Sequence, residues 1–149
     1  MEQFDSSFEP VIVAFCCHYC AYTAADTAGS QRLSYPAGVK IVRVPCTGKV
    51  DAKHLLTAFE KGADGVVVAG CLVGDCHFND GNVKAARRVE FTKKYLEEIG
   101  IEAERLEMVR MSAGQGKEFA EAATAITEKI RALGPSPVKG KNGCCGKAA

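Results

Sequence analysis

VIVAFCCHYC, residues 11–20, begins as an unbroken apolar run and ends in thiols. Five apolar residues, Val11 to Phe15, lead straight into Cys16, Cys17 and Cys20. A half-solvated strand alternates apolar and polar side chains, whereas a run without alternation fits a strand covered on both faces, as in a parallel sheet. Similar runs recur downstream. Val39, Ile41, Val42 and Val44 make a β-branched second strand stopped by Pro45, and Val66–Ala69 a fully apolar third ending at Gly70–Cys71. ERLEMVRMS (Glu104–Ser112) alternates Leu106 and Met108 with other residues and reads as a fourth strand nearer an edge.

Helical patterns fill the intervals. Ala21–Leu33 is rich in Ala and free of Pro. Asp51 is placed to cap a second helix carrying Leu55 and Phe59 on one face at i and i+4. A third helix is expected over Asn82–Ile99, with Val89, Leu96 and Ile99 on one stripe and Gly100 as its stop. The last carries Phe119, Ala123, Ile126, Ile130 and Leu133 at helical spacing, with Ser112 as a nearby N-cap and Gly134–Pro135 as its end. Strands alternating with helices across short connections imply an α/β domain with a four-stranded, mostly parallel sheet, helices on both faces and right-handed crossovers (βαβαβαβα). The domain is expected to span residues 10–134, after a lead of residues 1–9 and before a Gly- and Lys-rich tail, residues 135–149.

At 149 residues the chain can bury a full core without covalent staples. A formal net charge of +1 gives no support for binding nucleic acid or an anionic membrane. No apolar run approaches the ~20 residues that cross a bilayer, and the acidic opening MEQFDSSFEP lacks the pattern of a signal peptide. The expected location is the cytoplasm, where eight cysteines point to metal ligation or redox chemistry rather than structural disulfides.

Placed on the expected fold, these cysteines share one edge. Cys16, Cys17 and Cys20 follow the first strand, Cys46 the second, and Cys71 and Cys76 the third. In a parallel sheet those carboxyl ends lie together, and ligands of open α/β sheets bind beside them. Cys17-x-x-Cys20 and Cys71-x4-Cys76 together offer the four thiolates of an iron–sulfur cluster or a structural zinc, with Cys46 a fifth candidate. Gly70 and Gly74 let the second pair's loop bring backbone close to a charged centre. Three chemistries compete. A thioredoxin-like dithiol at Cys17 and Cys20 suits a motif between strand and helix, but leaves Cys46, Cys71 and Cys76 without a role. Zinc accounts for the ligands, although a domain of this size folds without one. An iron–sulfur cluster uses the all-sulfur set and gives it a redox purpose.

Other candidates read as ordinary structure. His18 and His77 each follow a cysteine and are expected at the surface or behind the ligands, since the C-x-H and C-x-x-H spacings of a Rieske site are absent. Cys16 suits a small buried hydrophobe, and Asp75 a loop cap. GQGKEF (Gly114–Phe119) resembles a phosphate loop only superficially. Arg87–Arg88 and Lys93–Lys94 read as a solvated helix face, and Cys144 and Cys145 as incidental tail thiols.

Taken together, FCCHYC, AADTAGSQRLSYP, VRVPCTGKVD, AFEKGADGVVVAGCLVGDCHF and GNVKAARRVE resemble the delta subunit of methyl-viologen-reducing [NiFe] hydrogenase of methanogens, from about Pro10 to Leu133. The resemblance implies a non-catalytic electron-transfer subunit carrying a 2Fe-2S cluster. Its implied partners are a hydrogenase or formate dehydrogenase as donor and the flavin-containing subunit of heterodisulfide reductase as acceptor, within a complex that bifurcates electrons at flavin. Its motif cysteines fall on Cys17, Cys20, Cys46, Cys71 and Cys76. The expected ligands are Cys17, Cys20, Cys71 and Cys76, with Cys46 the first substitute.

Overall fold

A computed structural model describes residues 8–138. The strands are β1 (Ile12–Cys17), β2 (Val39–Val44), β3 (Gly65–Gly70) and β4 (Leu106–Arg110); the helices are α1 (Ala21–Ser30), α2 (Ala52–Glu60), α3 (Gly81–Glu98) and α4 (Gly116–Leu133). All strand pairs are parallel, in the order β2-β1-β3-β4, with β4 at an edge. The chain steps one way from β1 to β2 and the other way to β3 and β4, which sends α1 to one face and α2 and α3 to the opposite one. α4 returns to the α1 face.

Side-chain alternation along the central strands fills both layers. Ile12 and Ala14 of β1 and Val67 and Ala69 of β3 enter the core under α1 and α4. Val66 and Val68 enter the one under α2 and α3, where Val13 and Phe15 also pack. The Ala content of α1 acquires its reason here. Ala21, Ala24, Ala25 and Ala28 form its buried face, and small side chains let α4 come close. A Cβ at Gly116 would lie 2.8 Å from the Ala28 nitrogen, so the first turn of α4 needs glycine; the GQGKEF stretch is helix packing.

Several expected ends move. α1 stops at Ser30 rather than Leu33 because Arg32 adopts a left-handed φ of 56°. Its N–H donates to the Gly29 carbonyl and that of Leu33 to the Ala28 carbonyl, the closure in which glycine is usual. α3 ends the same way through Gly100, so Ile99 lies at its end and is 59% exposed instead of joining the buried stripe; Ile101 takes the core position. Ser112 does not cap α4. Gln115 occupies the cap position, its side-chain oxygen accepting the Ser112 N–H at 2.7 Å. Asp51 does cap α2, accepting the Ala52 N–H at 2.8 Å.

The amino edge of the sheet is held by a buried charge. Arg105, fully buried, donates to the carbonyls of Asp64 (3.0 Å), Gly134 (2.9 Å), Leu133 (3.4 Å) and Pro135 (3.2 Å) and to the Glu102 carboxylate (2.7 Å). The Asp64 carboxylate accepts N–H bonds from Val11 (2.9 Å) and Ser136 (3.0 Å). Residues 134–138 are thus tied down as far as they are described, with Val138 against the α2–α3 core. Residues 1–7 and 139–149, with Cys144 and Cys145, lie outside the described residues. No helix among the described residues is long and apolar enough to cross a membrane.

Candidate metal centre

Register brings the thiols together. Cys17 of β1 pairs with Val44 of β2, and Cys16 with Ala69 of β3, so the three strands finish abreast at their carboxyl edge. Cys46 then opens a 3-10 turn (Thr47–Lys49), Cys20 stands at the N-cap of α1, and Cys71 directly follows β3. The strand order reverses at β1, which makes this the crevice where open α/β sheets bind ligands.

The Sγ atoms of Cys17, Cys20 and Cys71 lie within 4.8 Å of one another, with Cys71 3.0 Å from Cys20 and 3.8 Å from Cys17. All three side chains are buried. Cys46 and Cys76 form a neighbouring pair with Sγ atoms 3.8 Å apart. The two groups feel each other: negative charge on Cys17 disfavours ionisation of Cys46, and charge on Cys76 that of Cys71. Of the four expected ligands, three therefore converge tightly, while Cys76 sits beside Cys46, the first substitute expected for the set.

Thiol acidity follows the hydrogen bonds. The Cys20 thiol bonds to Cys17 and, against the opposing effect of burial, helps to hold Cys17 down to about 5, with N–H groups of Tyr19 and Cys20 adding to it. Cys20, which gives that bond, is pushed up, and burial adds to the rise. Burial likewise raises Cys46 and Cys71. Cys76 is also penalised by burial, but the N–H groups of Asn82, Phe78 and Gly81 outweigh it and leave this thiol below its ordinary value. Cys16 points into the α1–α4 core, where burial and the charge of Cys17 push it up to about 12. In metal-free protein, Cys76, half-buried and acidified, is expected to be alkylated first by iodoacetamide at about pH 7, where a free thiol of pKa about 8.5 is mostly protonated. Its labelling should rise less between about pH 7 and 9 than that of free cysteine, and Cys16 should stay unlabelled throughout; peptide mass spectrometry reads both.

Close backbone approach completes the site. A Cβ at Gly81 would stand 2.3 Å from Cys46 Sγ and 3.3 Å from Cys76 Sγ, and one at Gly48 would stand 2.8 Å from Gly81 Cα. Gly81→Ala is expected to cost about 1–3 kcal/mol in urea unfolding, the range for overpacking, and to raise thiol labelling of Cys46.

Outside the thiols lies an exposed ring cluster. Tyr19 stacks on His77 at 4.0 Å and meets His18 and Phe78 edge-on, joining the loop after β1 to the loop after β3. His18 and His77 are exposed, and the described group of clustered metal-binding side chains consists of cysteines alone. Asp75 is exposed; its N–H, rather than its carboxylate, closes the turn by donating to the Leu72 carbonyl.

Two side chains that bond to the thiol-bearing loops escape sequence reading. Buried Asn82 donates to the carbonyls of Cys71 (3.1 Å) and Leu72 (2.9 Å), and Arg88 donates to those of Gly48 and Val50. Arg88 is therefore partly withdrawn from the solvated face expected for it. Neither residue carries a spacing motif; their carbonyl partners are 10 to 40 positions away.

Comparison with known proteins identifies the family. The family model for FlpD, the methyl-viologen-reducing hydrogenase delta subunit, matches residues 12–134. The iron-sulfur subunit of the vhu F420-non-reducing hydrogenase of Methanocaldococcus jannaschii is 49% identical over 131 residues, covering 88% of this chain and 98% of that protein. The iron-sulfur subunit of the F420-non-reducing hydrogenase of Archaeoglobus profundus is 50% identical over 131 residues, 88% of this chain and 96% of that one. A different kind of relative is a much longer polypeptide of the ferredoxin:CoB-CoM heterodisulfide reductase of Methanosarcina mazei. It is 36% identical over 126 residues that make up 85% of this chain but only 16% of the reductase polypeptide. The thiol-lined edge and the match across nearly the whole described domain lead to one conclusion: the chain belongs to the family of methyl-viologen-reducing hydrogenase delta subunits.

Proposed function

We propose that this chain is an electron-transfer subunit that holds a 2Fe-2S cluster at the carboxyl edge of its sheet, with Cys17, Cys20, Cys71 and Cys76 as ligands and Cys46 as the alternative to Cys76. The observation that carries the reading is the convergence of three buried thiols, with a further thiol pair beside them. The donor set fits: it is all sulfur, and backbone N–H groups face Cys17, Cys46 and Cys76, as thiolate charge requires. Bound there, the cluster supplies a one-electron carrier. The protein's part is to fix the thiolates and limit water around them.

The donor is a hydrogenase, with formate dehydrogenase the alternative. The acceptor is the flavin-containing subunit of heterodisulfide reductase, in a cytoplasmic complex of methanogenesis that bifurcates electrons at flavin. Support for that acceptor comes from the Methanosarcina relative, in which a stretch similar to most of this chain is built into a heterodisulfide reductase polypeptide itself.

A thioredoxin-like role is favoured by one observation, a lowered Cys17 beside a raised Cys20 at the N-terminus of α1. Against it, Cys71 stands 3.0 Å from Cys20, a third thiol that a dithiol couple does not use. Metal analysis separates the two. Anaerobically purified protein is expected to contain about two irons and two acid-labile sulfides per chain and to give an S = 1/2 EPR signal after dithionite reduction. Zinc, or a metal-free chain with a titratable Cys17–Cys20 dithiol, would overturn the proposal.

A further inference from the structure

We infer that α3 is the positioning element of the thiol site, acting through Asn82 and Arg88. The inference rests on the cysteines being metal ligands. Three chain segments must be brought into one arrangement: the turn opened by Cys46, the loop opened by Cys71 and the stretch ending at Cys76. The first eight residues of α3 touch all three. Arg88 donates to the Gly48 and Val50 carbonyls of the Cys46 turn. Asn82 gives both N–H bonds of its amide to the Cys71 loop, at 3.1 Å on Cys71 itself and 2.9 Å on Leu72, while its amide oxygen accepts the Val83 N–H at 2.9 Å. The N–H groups of Gly81 and Asn82 face Cys76.

Asn82 is 0% exposed, with each side-chain hydrogen-bonding atom engaged. An amide in this position is the side chain that can donate twice to carbonyls and still accept from its own helix. Its removal leaves two carbonyls near the thiols without their donor, so the Cys71 loop loses its reference to α3. Arg88 does the same for Cys46 from two turns further along. Neither side chain touches a sulfur; both set the backbone from which sulfurs project. Residues in such supporting positions typically change metal affinity 10–100-fold when replaced.

The test uses full-length, metal-free protein and Co2+ alone as probe, read by thiolate-to-cobalt charge-transfer absorbance in competition with a chelator. Asn82→Ala and Arg88→Met are each expected to weaken Co2+ binding per folded chain by about 10–100-fold. Val89→Ala, which truncates a core side chain of the same helix that makes no hydrogen bond to the thiol segments, should lower the urea midpoint and leave Co2+ affinity at the wild-type value. Should Asn82→Ala fail to fold, Asn82→Asp keeps the shape and the acceptor but loses both donors, and is expected to weaken binding equally. Wild-type affinity in the Asn82 and Arg88 variants, or an equal loss in Val89→Ala, overturns the inference. In the loaded protein, a shifted reduction potential in Asn82→Ala supports it, and an unchanged one counts against it. Wild-type protein that binds neither cobalt nor iron overturns the metal-site reading itself, an outcome visible before any variant is made.

Discussion

Cys71→Ser is expected to bring the iron and sulfide content of anaerobically reconstituted protein down to background. Cys71 is the thiol that both members of the Cys17-x-x-Cys20 pair meet, at 3.8 and 3.0 Å, and it leaves directly from the end of central strand β3. A serine there presents a hard, protonated oxygen in place of a thiolate. Cys16→Ala should retain the wild-type iron content, because Cys16 faces the α1–α4 core and is held protonated, with its acidity pushed to about 12. The pair Cys46 and Cys76 then decides the fourth position: loss of iron in Cys76→Ser with retention in Cys46→Ser supports Cys76, and the reverse result moves the ligand to Cys46. Full iron content in Cys71→Ser would refute the proposed site.

The second large effect lies at the opposite edge of the sheet and concerns stability. Arg105→Ala is expected to lower the unfolding free energy by about 3–5 kcal/mol, the range for breaking a buried charge network. Arg105 is fully buried and supplies donors to four carbonyls, three of them at the end of α4 and in the residues that follow it. Truncation leaves those carbonyls without a donor and opens a void. Arg105→Lys should recover only part of the loss, since one ammonium cannot reproduce the planar guanidinium fork. Burial pulls Glu102 upward, yet its bond to Arg105 wins and holds the carboxyl below its ordinary value. The stability from that bond is therefore present at neutral pH and fades as pH falls through the lowered value. Urea midpoints of wild type and Arg105→Ala, compared at about pH 7 and about pH 4, should converge toward the acid side. A loss under about 1 kcal/mol at neutral pH would mean water replaces the guanidinium without penalty.

The sheet was legible because its signal is local. Val11–Phe15 and Val66–Ala69 are apolar without alternation, and that pattern requires two covered faces. The cysteine edge was legible at one remove, because in a parallel sheet the ends of separate strands coincide. What the sequence hid was conformational or long-range. Arg32 gives no sign that it takes the left-handed conformation glycine usually supplies, so α1 seemed longer than it is. Ile99 fits the buried period of α3 until Gly100 turns the chain and Ile101 takes the place inside. Asn82 and Arg88 look like common helix polar residues; their purpose lies in carbonyls that only the folded chain brings near. The separation of the thiols into a trio and a pair was equally hidden, since spacing alone joined Cys71 with Cys76.

The parallel order of β2, β1 and β3 also sets a sequence of events in time. Thiols drawn from residues 17 to 76 become neighbours only once β3 has docked beside β1, and the helix that braces them starts at Gly81. A chain leaving the ribosome thus exposes the Cys17–Cys20 pair long before the rest of the site exists. The thiol site needs the chain from Cys17 to Cys76 and the bracing helix that starts at Gly81, while β4 and α4, which complete the amino-edge clasp, contribute none of the clustered thiols. The order of synthesis therefore separates two events: the thiol set is complete once Cys76 is made, whereas its burial waits for α4, whose Phe119, Ile126 and Ile130 pack in the same core as Cys17, Cys20 and Cys71.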